Sequence, residues 1–311
     1  MLPKMKENST IKLYDTKTFT NKFMPSEELR NLLKGDYNKF LLVPVEEIYR
    51  HVSQAVPPSR AVNHTFIYLT KGEAYMKIGS EKYKIYKDEI LIVPAGQIFS
   101  FEEYNSSKFN RGFLCNFNEK FLIGKFGKSD LLKEFEYLKV WGNPCIQLGK
   151  ETSGFVLQLL KRILIEYAKN GLEYLDIIQA YFIALLCEIN QVYKPLFNTK
   201  QTTAVSLTNN FKELLSQHIK TNHRVTDYAS MLNISPNHLN KIVKSVTSKS
   251  PTKWIDEAIV LEAKVLLYQT DFSIGEVAAA IGIYDQSYFS RLFKKYEFVT
   301  PLQFSKMIEM S

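Results

Sequence analysis

The stretch SYFSRLFKKY, residues 287–296, sets Ser287, Ser290, Arg291, Lys294 and Lys295 among apolar residues that recur every three or four positions. On a helix, Phe289, Leu292 and Phe293 would form one buried stripe, and the hydroxyls and cations would share the opposite face. Arg and Lys donate to guanine edges and phosphates, Asn and Gln pair with adenine, and Ser serves either, so such a face has the chemistry of a nucleic-acid reader. A solvated helix face carries the same residue types, and this stretch alone does not separate the two.

An internal repeat does. LNKIVKSV at 239–246 lies over FSRLFKKY at 289–296, and the same offset of 50 carries Ser250-Pro251 onto Thr300-Pro301 and Trp254 onto Phe304. Upstream of each copy stands a second helix signature, VTDYASMLN with Ala229 and Asn233, and SIGEVAAAIG with Ala278 and Gly282. Two helices that cross steeply need a small side chain at the contact and a turn residue that tolerates a left-handed backbone, and these pairs supply both. Each copy then restarts a helix, the first with Ser235 as N-cap and Pro236 at its first position, the second with Asp285 as N-cap. The second turn is one residue longer than the first. The expected DNA-facing residues are Asn237, Asn240, Lys241 and Lys244 in the first copy and Gln286, Ser287, Ser290, Arg291, Lys294 and Lys295 in the second. Charge placement agrees, since residues 237–253 hold four lysines and no acid, while Asp256, Glu257 and Glu262 follow on the connecting helix.

Other chemistry has weaker support. A metal-dependent barrel enzyme needs an H-x-H pair, a Glu and a third His, but the first half offers only His51 and His64, the latter alone at HTF. His64 is expected to be structural, with no metal, no cofactor and no catalytic residue. Cys115, Cys145 and Cys187 are far apart and show no C-x-x-C spacing, so neither a disulfide framework nor a zinc site is encoded, and Cys115 and Cys187 are expected to be buried packing. Lys71, Lys77, Lys82, Lys84 and Lys87 read as a solvated strand face or edge protection, with attraction of an anionic ligand as the alternative.

These residues need two different scaffolds. The 311 residues carry a formal net charge of +8, which favours an anionic partner, and exceed what one core usually organises. From about 60 to 120 the pattern is strand-like, alternating around Tyr75–Ile78 and Tyr83–Tyr86 with Gly72, Gly79 and Gly96 as punctuation. After 150 the period becomes helical through Phe155, Leu159, Leu160, Ile163, Leu164 and Tyr167, with a second run from Leu175 to Ile189. The expected architecture is multidomain α+β: a sandwich or small barrel at 1–145, a helical segment at 146–193, a linker at 194–206, and an all-α domain at 207–311 of two helix-turn-helix units joined by a long helix. Thr208 is expected to cap the first helix of that domain, ahead of Phe211, Leu214, Leu215 and Ile219. The N-terminus lacks a signal-peptide pattern, and YFIALLC at 181–187 is too short to cross a bilayer, so a cytoplasmic protein without membrane attachment is expected.

SIGEVAAAIGIYDQSYFSRLFKKYEFVTP resembles the signature of the AraC/XylS family of bacterial transcription regulators, with its I-x-E-V-A, G, S-Y-F-S-R-x-F-K-K and T-P elements in order. Phe298 and Ser248 stand where the family usually has turn glycines, Ile283 where Phe follows the turn Gly, and Phe304-Ser305 where it ends in Y-R. The resemblance implies two readers entering double-stranded DNA in two major-groove segments about 10 bp apart. It also implies contact with RNA polymerase, activation more often than repression, a homodimer, and a cupin-like N-terminal domain, resembled here by HTFIYLTKGEAYMKIGSEKYKIYKDEILIVPAGQ, that binds a small effector. The alternative from another class is a cupin-type enzyme or small-molecule-binding protein with an accessory helical domain.

Overall fold

Alternation is what separates the strands of this chain. In EAYMKI (73–78) every second residue is buried, whereas ILIV (90–93) is buried at every position, so one strand has a solvent face and the other has none. The computed structural model describes residues 16–23, 26–51, 55–101, 109–122, 135–193 and 203–309, which form two units, one within 14–200 and one containing 201–311.

The first unit contains α1 (Thr16–Phe23), α2 (Glu27–Leu32), β1 (Phe40–Pro44), α3 (Val45–His51), β2 (Val56–Arg60), β3 (His64–Lys71), β4 (Glu73–Ile78), β5 (Glu81–Tyr86), β6 (Glu89–Val93), β7 (Ile98–Phe101), β8 (Arg111–Phe117), α4 (Glu119–Leu122), β9 (Cys145–Gln147), α5 (Lys150–Asn170) and α6 (Leu175–Val192). Two antiparallel sheets, ordered β1-β8-β3-β6-β9 and β2-β7-β4-β5, face each other. Strands therefore begin about twenty residues before the stretch that alternation marked, and β9 crosses the expected division between 145 and 146. Pro57 and Pro58 fall on β2, an edge strand with an irregular register between Val56 and Ser59, where missing N–H donors cost least.

The larger sheet is the middle of three layers. Ile67 and Leu69 of β3 and Leu91 and Val93 of β6 fill the space between the sheets with Ala74, Met76, Ile78 and Ile85. Phe66, Tyr68, Ile90 and Ile92 point the other way and pack with Phe40, Phe117, Leu160 and Phe182 against α5 and α6. At the β5–β6 turn Asp88 takes a left-handed backbone (φ 64°), and its carboxylate accepts from Ser153 Oγ of α5 at 2.7 Å, with Tyr68 Oη 3.0 Å from that Oγ. Burial raises the Tyr68 pKa, which keeps the phenol a donor in this cluster.

Two expectations for α6 are revised. Cys187 is exposed rather than packed, because it follows Ile177, Ala180 and Ala184 at helical spacing on the outward stripe while Leu185, Leu186 and Ile189 face the sheet. By length and composition α6 is also apolar enough to pass for a membrane span, unlike the seven-residue run taken alone. Its Ile178, Phe182, Leu185, Leu186 and Ile189 are buried in the sheet cluster, as in the core helix of a folded domain.

The second unit is helical among the described residues: α7 (Thr203–His218), α8 (Val225–Met231), α9 (Pro236–Thr247), α10 (Pro251–Gln269), α11 (Ile274–Ala280), α12 (Gln286–Glu297) and α13 (Pro301–Glu309). Thr208 caps nothing. It is buried inside α7, its Oγ1 donating to Ala204 O at 2.9 Å, because Val205 extends the apolar stripe upstream of Phe211 and starts the helix at Thr203. That start lies inside the expected 194–206 linker, whose residues 194–202 fall outside the described ones.

Candidate nucleic-acid interface

Each helix-turn-helix is built on the same local solution. Ala229 of α8 and Ala278 of α11 are buried at the helix crossings. Asn233 (φ 54°) and Gly282 (φ 76°) then reverse the chain in the left-handed region. The residue after each donates back to that alanine's carbonyl, Ile234 N to Ala229 O at 3.0 Å and Ile283 N to Ala278 O at 2.8 Å. Gly282 is required twice over, since a Cβ there would also press on the Lys220 carbonyl and come within 3.0 Å of His223 Cε1.

Caps fix where the reading helices start and stop. Ser235 Oγ accepts from His238 N at 3.2 Å with Pro236 at the first helical position, and Asp285 Oδ1 accepts from Ser287 N and Tyr288 N, both at 2.9 Å. A capping box at α11, Ser273 Oγ with Glu276 N at 3.3 Å and Glu276 Oε2 with Ser273 N at 2.8 Å, was legible in S-x-x-E but absent from the sequence reading. Both reading helices end on left-handed residues that are not glycine, Ser248 (φ 59°) and Phe298 (φ 63°), so the departures from the family pattern keep the turn and carry the strain.

The duplication extends to burial. Residue by residue, the sequence of buried, half-buried and exposed positions over 239–250 is identical to that over 289–300. Leu239, Ile242 and Val243, and Phe289, Leu292 and Phe293, are the buried stripes. At 3.6 residues per turn, Asn237, Asn240, Lys241 and Lys244 fall within an arc of about 100° on α9, and Ser287, Ser290, Arg291 and Lys294 occupy the same arc on α12. Asn240 Nδ2 donates to Pro236 O at 3.0 Å.

Two predicted residues stand apart from this arc. Gln286 lies at the start of α12 beside α11, its Oε1 3.9 Å from where a Cβ on Gly275 would be. Lys295 sits to the side and donates to Asp256 Oδ2 at 3.1 Å. That carboxylate, which also accepts from Tyr296 Oη at 3.0 Å, raises the Lys295 pKa and holds its ammonium to α10.

Electrostatics follow from how α10 spends its acids. Glu257 pairs with Lys249 at 3.0 Å, Glu262 lies 3.9 Å from Lys220, and Asp256 takes Lys295. Buried Lys264 of the same helix pairs with Glu297 at 2.9 Å, and Trp254 lies between Lys212 (4.8 Å) and Lys249 (5.0 Å). Among the described residues no carboxylate pairs with Lys241, Lys244, Arg291 or Lys294. The acids are tied off on the connecting helix and the cations of the reading faces are left for a polyanion.

Residues 228–307 match the family model described as a helix-turn-helix domain. The chain is 30% identical over 93 residues to the arabinose operon regulatory protein of Escherichia coli, covering 30% of this chain and 32% of that one. Over this segment the chain is similar to the helix-turn-helix domains of bacterial transcription regulators. A second relative, the uncharacterized HTH-type transcriptional regulator YisR of Bacillus subtilis, is similar over most of its length, 22% identical over 250 residues that cover 78% of this chain and 85% of YisR. Unsaturated fatty acid-bound ToxT from Vibrio cholerae is a solved structure with 15% identity and a TM-score of 0.42, covering 88% of this chain and 96% of ToxT. The helix-turn-helix match and the curated regulators support a DNA-binding transcription regulator with an N-terminal regulatory domain.

His64 is buried, its Nδ1 accepts from Ala95 N at 3.1 Å, and its ring stacks on Phe117 with centroids 5.2 Å apart. Burial, aided by the Lys139 charge, lowers its pKa to about 4 and keeps it neutral. Among the described residues no three His, Cys, Asp or Glu side chains converge as a metal site. The alternating lysines include Lys84, which pairs with Glu73 at 2.8 Å and lies 4.7 and 4.8 Å over the Tyr75 and Tyr86 rings beside the open edge at β5. Cys115 is buried, and burial raises its thiol pKa far out of the reactive range.

Proposed function

We propose that α9 and α12 each enter the major groove of one double-stranded DNA site, reading two segments about one helical turn apart. The observation that carries this reading is the identical burial pattern of the two helices with unpaired cations in the same places. Arg291 and Lys241 reach base edges, Asn237, Asn240, Ser287 and Ser290 add hydrogen bonds, and Lys244 and Lys294 contact phosphates. Gln286 and Lys295 flank these faces, and Lys295 is held to α10 by Asp256. The test is selection of bound sequences from a random DNA pool by the wild type and by Lys241→Ala and Arg291→Ala. Two short motifs about 10 bp apart are expected, each variant blurring one of them. Equal loss on every sequence would refute the base-contact roles.

The N-terminal unit, on this reading, is a cupin-like regulatory barrel in a cytoplasmic homodimer. Supporting the dimer, Ile177, Ala180, Tyr181 and Ala184 form an exposed apolar stripe on α6, with exposed Ile165 on α5. Ile177→Glu is expected to shift the sedimentation coefficient from dimer to monomer. A small effector between the sheets would raise the melting temperature of the chain, by about 2.7 kcal/mol of stability at 100 times its Kd. Activation through RNA polymerase rests on the family resemblance and is tested by transcription in vitro from the selected site.

A further inference from the structure

The extra residue in the second turn has no counterpart in the first, and the structure identifies it. Ile283 occupies the place of Ile234: both follow the left-handed residue, both bond to the crossing alanine, and both pack into the core. In the first helix-turn-helix the N-cap Ser235 comes next. In the second, Tyr284 intervenes before the N-cap Asp285, and it is 89% exposed, the most exposed large apolar side chain among the described residues. Its ring therefore contributes nothing to the fold of the unit that contains it. It stands one residue ahead of the N-cap of α12, beside the helix end whose N-terminal residues contact base edges in helix-turn-helix proteins. Tyr288, also exposed, lies one turn further along and extends the aromatic surface.

We propose that Tyr284 is a specificity-determining residue, packing its ring on the C5-methyl of a thymine beside the bases read by α12 and lengthening that half-site by one base pair. The inference rests on the two-reader assignment above. An aromatic ring fits this role because thymine is the one base that presents a methyl group in the major groove.

The experiment is selection from a random DNA pool by the full chain and by Tyr284→Ser, followed by affinity measurements on the selected site with that thymine replaced by deoxyuridine. The wild type is expected to select a second half-motif one position longer than the first. Tyr284→Ser should lose information at that position alone and bind the site about five- to tenfold more weakly, near the lower end of what one mismatched base pair costs. Removing the methyl should weaken the wild type about fourfold, the effect of one buried methyl-sized group, and leave Tyr284→Ser unchanged. The variant's melting temperature should match the wild type, given the exposure. A wild-type motif that survives Tyr284→Ser intact, or a loss equal on all sequences, overturns this inference and leaves the reader assignment standing. Absence of any wild-type motif overturns both.

Discussion

Gly282→Ala and Asn233→Ala place the same substitution at equivalent turns, yet the structure makes them unequal. Gly282→Ala puts a Cβ on a left-handed residue, at about 1 kcal/mol or somewhat more in backbone strain, whereas Asn233 already carries a Cβ and Asn233→Ala loses only the Asn side chain's tolerance of that region, at most about 1 kcal/mol. Only Gly282 has a neighbour in the way, since its new Cβ would press on the Lys220 carbonyl and meet His223 Cε1 at 3.0 Å. Backbone cannot swing aside as a side-chain tip can, so a further ~1–3 kcal/mol of overpacking is expected. Gly282→Ala should thus cost about 2–4 kcal/mol and Asn233→Ala at most about 1. Urea unfolding of the full chain, followed through Trp254 in a Trp141→Phe background, isolates the helical unit, because these are the two tryptophans of the chain. If the two variants fall within about 0.5 kcal/mol of each other, the close approach at Gly282 is not what sets the cost, and the steric argument fails.

Three further outcomes are expected. Phe298→Gly and Ser248→Gly should each stabilise the helical unit by about 0.5–1 kcal/mol, seen as a rise of a few degrees in melting temperature, because the left-handed strain is relieved and Phe298 is 85% exposed. Lys294→Ala should reduce the slope of log K against log salt by about 1, whereas Lys295→Ala, whose ammonium is held by Asp256, should leave it unchanged. His64 has a folded pKa near 4, below its unfolded 6.5, so the unfolded chain binds the extra proton. The stability that His64 contributes is present above pH 6.5 and is lost as pH falls towards 4, by about 3 kcal/mol at most, and His64→Asn should flatten stability–pH curves of the first unit over that window.

The reading helices were legible in the sequence because local rules and the repeat agreed there. A small residue, a left-handed turn residue, a cap and a 3.6-residue stripe coincide twice, and the structure places Ala229, Asn233 and Ser235, then Ala278, Gly282 and Asp285, where those rules require. Lys295 was not separable from Lys294 because its partner Asp256 is 39 residues away, and no helical period shows whether a cation is already bound. Thr208 looked like a cap because Ser and Thr serve caps and helix interiors alike, and only the burial of Val205 decides between them. On the sheets, alternation marked β4 and β5, while FIYL and ILIV are buried at every position and offer no alternation to read. Which face of β3 meets the helices depends on α5 and α6, far along the chain.

The charge pairs of α10 make that helix a phase reference between two readers. Asp256 and Lys264 engage the second reader through Lys295 and Glu297, while Glu257 and Glu262 engage Lys249 and Lys220 of the first. Nineteen residues at 1.5 Å each span about 28 Å, close to one turn of the double helix. One residue gained or lost in α10 would turn everything beyond it by about 100°, so that the pairs of one reader are misdirected while those of the other remain. The length of α10 is therefore quantised: its sequence can drift, but insertions and deletions that segments outside helices absorb are closed to it.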